Sequence, residues 1–504
     1  MDNLYDNLEQ NISFLENIFK NNGDVVSRKF PIGNGLHNFA YSIYIDGLAD
    51  RRIIEERILP QIMASSLKSP EGFFFKPMGL LEYLKEGGFQ TTDLREEKKW
   101  DAILRAILSG DTAVFVSNSE SALLIASKGF ANRGVFGADI EVSVAGSNEA
   151  FTESIRTNTA LIRRRIKDKD LKIEQKVVGR RSQTDIAICY INSIARDSLV
   201  NEAKKRLENI DIDAIADIGQ LEELISDDYQ SPYPLCQITQ RPDKTAASLM
   251  EGRIAIIADN SPQILIIPAT INTMFQATDD YYQKWDIMSI TRILRFVAAF
   301  ISVTLPGLYI AITIFHPSML PTVMMLKMAA ARADIPIPAV LEILIMEFAF
   351  ELLREAGIRL PRAIGSSIGI IGGLIVGDAA VSAGIVSPIV VIIVALTGIS
   401  SFVIPSYSLV SAFRISKIFV LILSAALGIF GFWIAIITIL IHLCNLKSFG
   451  IPYLFPFVST DLNNYNDIKD SLFRLPIKMQ NFRPIFAKPS QKIRSKENNI
   501  NIKE

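Results

Sequence analysis

The chain is poor in the residues that carry most site chemistry: it has three cysteines and three histidines in 504 residues. Cys189, Cys236 and Cys444 form no C-x-x-C pair, and His37, His316 and His442 are equally scattered, which argues against a zinc site or a disulfide framework. Cys189 sits in the apolar run 187–191 and reads as a small buried hydrophobe. There is no glycine-rich phosphate loop, dinucleotide fingerprint, nucleophile elbow or metalloprotease helix. No catalysis, metal or cofactor is expected. Charge is also scarce, at 21% of residues, and Lys+Arg (52) nearly balance Asp+Glu (53), so nothing argues for nucleic-acid binding.

Apolar residues are plentiful instead, at 49% with a mean hydropathy of +0.27. They are unevenly placed. Residues 1–286 carry 33 basic and 42 acidic side chains, residues 287–445 only 9 and 6, and residues 446–504 carry 10 and 5. A single water-soluble globule is excluded, and the excess hydrophobicity falls in the middle block. The first twenty residues hold Asp2, Asp6, Glu9 and Glu16 and no apolar core, so no export signal is expected there. Arg292 and Arg295 flank the first long apolar run, and lysines and arginines from Lys447 to Lys496 follow the last. The positive-inside rule then places both termini in the cytoplasm.

The run 418–441 has sixteen Leu, Ile, Val or Phe residues and no charge. At roughly −0.3 to −0.6 kcal/mol each, it favours insertion by about 5 to 10 kcal/mol. Residues 296–315 form a second span, with a hinge expected at Pro306 and Gly307, and 379–413 hold a further crossing. The segment 337–353 behaves differently. Three carboxylates there outweigh its apolar residues, so it does not enter lipid alone. Helical spacing gathers Glu347, Glu351, Arg354 and Glu355 on about a third of the circumference, with Glu342 elsewhere. That face lies in water, meets other protein, or lines a water-filled path. Gly365, Gly369, Gly373 and Gly377 then stand four apart, a stripe suited to close helix packing, and Asp378 follows as an intramembrane acid. Four or five spans are expected in all.

The soluble part reads as one α/β unit used twice. Tyr44-Ile45-Asp46-Gly47-Leu48-Ala49 is matched 146 residues later by Tyr190-Ile191-Asn192-Ser193-Ile194-Ala195, each a strand and turn before an amphipathic helix. Two hairpins, 110–126 and 252–267, recur at an offset of 142. Between the halves, a helical pattern carries Arg163, Arg164 and Arg165 on its polar side, candidates for a solvated face or for contact with lipid or another subunit. The expected divisions are a variable segment 1–34, subdomains 35–150 and 151–286, a helical multi-pass membrane domain 287–445, and a basic cytoplasmic tail 446–504.

Several motifs together resemble the A subunit of bacterial spore germinant receptors, the GerA-type spore germination proteins. They are Leu305-Pro306-Gly307-Leu308-Tyr309, His316-Pro317, Arg354-Glu355-Ala356-Gly357-Ile358-Arg359-Leu360-Pro361, Gly377-Asp378-Ala379-Ala380-Val381 and Gly384-Ile385-Val386-Ser387-Pro388. Gly110-Asp111, Arg156-Thr157-Asn158, Arg163-Arg164-Arg165, Arg241-Pro242-Asp243 and Asp280-Tyr281-Tyr282 follow the same family order. Two departures stand out: Ala145-Gly146-Ser147-Asn148 replaces the usual Arg-Gly-Pro step, and Asp378 stands where Glu is commoner. The resemblance implies a non-enzymatic subunit in the spore inner membrane, working with a transporter-like B subunit and a lipoprotein C subunit. It further implies a homo-oligomer, possible as a ring, that conducts ions when germinant binds. Asp378, Glu347, Glu351 and Arg354 are then the candidates for the ion path. A stage V sporulation protein AF-like accessory subunit and a proton-coupled secondary transporter are the alternatives; inverted repeats typical of transporters are not evident.

Overall fold

A computed structural model describes residues 3–32, 39–60, 62, 94–117, 119–129, 141, 145–359, 377–458 and 470–494. Gly365, Gly369 and Gly373 lie outside these residues. The chain divides into two compact units, one of residues 1–226, 236–268 and 480–504, the other of 227–235 and 269–479.

The first unit opens with α1 (Leu8–Ile18), capped by the Asn7 side chain, then β1 (Val25–Pro31) and β2 (Phe39–Ile45). After β3 (Leu94–Glu97) come α2 (Trp100–Ile107), β4 (Thr112–Val116) and β5 (Ala122–Ile125). These five strands form an antiparallel sheet ordered β1-β2-β4-β5-β3. Strand alternation sends Tyr41, Ile43, Ile45 and Phe115 to one face, where they pack with Leu8, Leu15, Trp100 and Ile107 from α1 and α2. Ala40, Tyr44, Val114 and Leu123 face the other way, onto Ile54 and Ile58. Of the segment expected to be a separate variable end, residues 3–32 are part of the first lobe: Leu8, Ile12 and Leu15 are buried, and β1 is an edge strand. Its exposed Ser27, Arg28 and Lys29 hide that role in the sequence.

The second lobe follows through α3 (Ile155–Arg165), β6 (Leu171–Val178), β7 (Thr184–Ile191), α4 (Asp197–Glu208) and α5 (Ile218–Ile225). It ends with β8 (Gln237–Thr239), α6 (Pro242–Met250), β9 (Ile254–Ala258) and β10 (Ile264–Ile267). The second sheet is ordered β6-β7-β9-β10-β8, the same connectivity as the first. The repeat read from the sequence is thus a repeat of topology. Cys189 is fully buried among Ile173, Ala187 and Ile257, and burial pushes its thiol pKa up.

On α5, burial raises the Glu222 carboxyl to about 7 from an ordinary 4.5. The unfolded chain releases this proton near pH 4.5 while the folded unit holds it to about 7, so the unit loses stability as pH rises through that interval. Glu222→Gln is expected to stabilise the unit against urea by about 1–3 kcal/mol at pH 8. At pH 4 the two proteins should unfold together; an equal gain at both pH values would contradict the assignment.

The second unit is helical. Its main elements are α7 (Trp285–Ile310), α8 (Thr322–Ala330), α9 (Ala339–Arg359), α10 (Pro388–Phe402) and α11 (Tyr407–Asn445). Among the described residues two helices are long and apolar enough to cross a membrane, Trp285–Phe315 and Tyr407–Asn445, with Pro388–Phe402 a shorter apolar helix. α7 packs on α10 and α11, and α9 packs on α10.

The hinge expected at Pro306 and Gly307 is not where the backbone breaks. Pro306 forgoes one hydrogen bond, yet α7 runs through it and merely widens into a π-helical turn at Ala311–Phe315. Gly307 is instead a close-packing point: a Cβ there would lie 2.8 Å from Val420 Cγ1 and 2.9 Å from Ser424 Oγ. The break falls in α11 at Gly428 (φ 63°, ψ −136°), a conformation open in practice to glycine alone.

The described parts of the expected basic tail, 446–458 and 470–494, hold residues built into the fold. Lys447–Ser448 pairs with Ile451–Pro452, Arg474 is buried in the helical unit, and Phe486 and Ala487 are buried in the first unit.

Candidate functional site

The acidic face of α9 meets basic side chains of α11. Lys417 Nζ donates to Glu347 Oε2 at 2.5 Å, with both side chains nearly buried. Glu351 is paired with Arg354 on its own helix and with Arg414 Nη1 at 3.4 Å. Arg414, Lys417, Glu351 and Arg354 line a cavity with Ser302 and Thr397, of about 10 Å³, enough for one water molecule. Glu342, on another side of α9, is fully buried; it accepts from Arg332 Nε at 3.2 Å and from the Ser387 backbone N–H at 2.9 Å. These three carboxylates therefore lie against protein of the same chain. The outward side of α9 is apolar, with Leu344, Ile345, Phe348 and Leu352 exposed.

Asp378 is not part of this cluster. It is exposed, within the helical stretch 377–382 and next to buried Gly377, and makes no ion pair with a described residue. A Cβ on Gly377 would make an ordinary 3.6 Å contact with Val391, so among the described residues that glycine meets no obligatory close approach.

A second charged cluster, missed in the sequence, stands at the foot of α7. Asp280 is fully buried and receives Arg292 Nε at 2.9 Å and Arg295 Nη1 at 2.8 Å. Arg292 Nη1 also donates to Asp470 at 3.1 Å, and Tyr281 Oη donates to Asp470 Oδ2 at 3.0 Å. Arg292 and Arg295 were read as charges flanking the first span; both are buried and neutralised internally. Their helical spacing of three, after an Asp280 twelve residues before Arg292, was the available signal.

In the first unit the arginine run of α3 is likewise paired with acids of the same unit. Arg163 is fully buried, bidentate to Asp24 at 2.7 and 2.9 Å, with Asn22 at 3.1 Å. Arg164 and Arg165 both pair with Glu149. Arg163 is thus unavailable to lipid or to another subunit, because its guanidinium joins the two lobes of its own unit. Glu149, which holds Arg164 and Arg165, is the one charge of the departing 145–151 segment.

A groove of about 440 Å³ runs between the Asp46 turn and α3, lined by Asp46, Asp50, Arg51, Arg52, Arg156 and Arg164. Asp46 holds Arg51 at 3.0 Å and Arg156 at 3.3 Å. Gly47 (φ +85°) lets the turn approach: a Cβ would sit 3.1 Å from the Arg156 carbonyl. Four arginines against two aspartates and a volume of this size suit a small anionic or zwitterionic molecule. Glu141, on the second lobe, keeps its pKa below the ordinary range: burial opposes ionisation, but Lys244 at 2.6 Å and Thr239 outweigh it.

The model of the Bacillus/Clostridium GerA spore germination protein family matches residues 13–486. The chain belongs to that family. Relatives within reach include spore germination protein KA of Bacillus subtilis (strain 168), 38% identical over 97% of this chain and 88% of the relative. The membrane protein YfkQ of the same organism is 38% identical over 93% of this chain and 89% of its own length. The crystal structure of the N-terminal domain of the A subunit of the Bacillus megaterium spore germinant receptor GerK3 is 31% identical. It covers 54% of this chain and 98% of that domain, with a TM-score of 0.41. For this GerA-family chain the resemblance read from the motifs is therefore correct. The signal for the Glu347 and Glu351 partners was also present: Arg414 and Lys417, three apart, could face two carboxylates four apart. Only the packing of α11 on the rest of the bundle shows that they do.

Proposed function

We propose that this chain is the A-type subunit of a spore germinant receptor, anchored in the spore inner membrane by its helical unit. In this reading it assembles with copies of itself, a transporter-like B subunit and a lipoprotein C subunit, and couples nutrient binding to ion release. The observation that carries it is the inversion of the helical unit: charged side chains of α9 and α11 pair inside, while apolar ones such as Phe348, Ile418 and Phe430 face out. Such a surface needs lipid or other helices around it. Asp378, exposed and without an ion pair among the described residues, is the acid left for a neighbouring subunit or a water-filled path. The paired Glu347 and Glu351 hold the bundle together.

The test is germination of spores lacking this chain on a panel of amino acids, sugars and nucleosides, with release of monovalent cations recorded. Loss of response to at least one nutrient, restored by the wild-type chain and impaired with Asp378→Asn, is expected. Unchanged nutrient responses throughout would overturn the receptor reading and favour the stage V AF-like alternative.

A further inference from the structure

The repeat has a consequence at its second copy. In the first lobe the chain leaves β5 and runs past the turn that follows β2: Ala49 bridges Lys128 in antiparallel fashion, and the Gly129 N–H donates to the Leu48 carbonyl at 3.0 Å. Adding the offset of 146 takes Leu48 and Ala49 to Ile194 and Ala195 in the second lobe. There the chain leaving β10 cannot fill the equivalent place, because from residue 269 it belongs to the helical unit. The place is filled all the same. Ala195 bridges Ala487 in antiparallel fashion, and the Lys488 N–H donates to the Ile194 carbonyl at 2.7 Å.

The seat is closely fitted. Ala487 is fully buried within the core of the second lobe, beside Ile194, Ala246 and Leu249. Gly252 (φ +93°) faces it, and a Cβ there would come within 2.9 Å of Ala487 Cα and of the Phe486 carbonyl. Gly110 (φ +98°) occupies the matching position in the first lobe, against Leu48. Arg196 Nε donates to the Ala487 carbonyl at 3.1 Å, Lys488 pairs with Asp197 at 2.8 Å, and Arg483 Nε donates to the Met250 carbonyl at 3.0 Å. Beneath the segment lies Arg253, fully buried. Its partners are neutral oxygens of Pro268, Gln237 and Ser248, and the Phe486 ring covers its guanidinium at 5.6 Å. Burial lowers its pKa to about 10.

We propose that residues 486–488 are the displaced end of the second α/β copy, so that the helical unit is an insertion in that copy. The surface formed by 194–197 with Gly252 and Arg253 is then a docking site for one extended segment, supplied by the same molecule. The fold of the second lobe is completed only after the helical unit has been made. Docking of a segment by backbone pairing at an unfilled edge is a known mode of recognition, and bridged residues have a Cα separation that suits a disulfide.

The test uses full-length protein in detergent, with Cys444→Ser as background and Ala195→Cys combined with Ala487→Cys. Mild oxidation is expected to yield an intramolecular disulfide, seen as loss of both introduced thiols without a dimer on non-reducing gels. Free thiols after oxidation would show that the segment is not seated. Disulfide-linked dimers, enriched when two tagged forms are co-expressed, would show that a second copy supplies it; either result overturns the proposal. A second measurement does not depend on the disulfide. Phe486→Ala should speed amide exchange in 194–197 and 252–258 at least tenfold while leaving β1 to β5 unchanged; unaltered exchange in 194–197 and 252–258 would also overturn it.

Discussion

Lys417→Met is expected to lower the stability of the helical unit by about 3–5 kcal/mol, the cost of leaving one partner of a buried ion pair without the other. Glu347 is nearly buried, its Oε2 is held by Lys417 at 2.5 Å, and its Oε1 has no hydrogen-bond partner among the described residues. Methionine keeps most of the side chain's volume, so the loss reports charge and hydrogen bonding rather than a cavity. Adding Glu347→Gln should recover much of the stability, because the stranded charge is then gone. Thermal unfolding in detergent of the wild type, both single variants and the double variant provides the cycle. An unchanged midpoint for Lys417→Met would mean that the carboxylate finds water or another cation. Arg359→Ala is the contrast: its pair with Glu355 is exposed, and its removal should matter by less than about 1 kcal/mol.

Asp280→Ala is the second large effect. The carboxylate serves two buried guanidiniums, and its loss leaves Arg295, among the described residues, with the Phe275 carbonyl at 3.1 Å and Arg292 with Asp470. Destabilisation of about 3–5 kcal/mol is expected. The effect should be local as well as global. Arg474 is buried beside Tyr281, donating to the Gln283 carbonyl and accepting Ser289 Oγ on its own carbonyl. Trypsin cleavage after Arg474 should therefore accelerate in Asp280→Ala under native conditions, while Asp470→Asn, whose carboxylate is partly exposed, should show a smaller change. Equal cleavage rates in the wild type and Asp280→Ala would show that the cluster does not fasten this segment.

Much of the architecture was legible from residue pattern. The charge-poor block, the apolar run 418–441 and the matched Tyr-Ile turns at 44 and 190 depend on local composition and periodicity, which a linear reading samples directly. The family motifs were equally local. The partners of charged residues were harder to see. Arg163 looked like one of three solvated arginines because its partner Asp24 lies 139 residues away, in a segment read as variable. Arg292 and Arg295 stood only as charges flanking the first span because Asp470 lies far beyond the last one. Gly428 escaped notice beside Pro306, since proline advertises a break and a glycine in an apolar helix does not, until its backbone angles are known.

The sequence by itself determined that the chain has a two-copy α/β part and an apolar helical part, and that three acids in the latter need company. Those conclusions rest on hydropathy and repeat spacing, which are properties of neighbouring residues. Tertiary structure decided which side chains supply that company, namely Arg332, Arg354, Arg414 and Lys417. It also decided that the last residues described return to complete the second lobe. Both outcomes are long-range: a buried charge must find an opposite charge or donor wherever the folded chain brings one within hydrogen-bond distance, and separation along the sequence does not encode that distance.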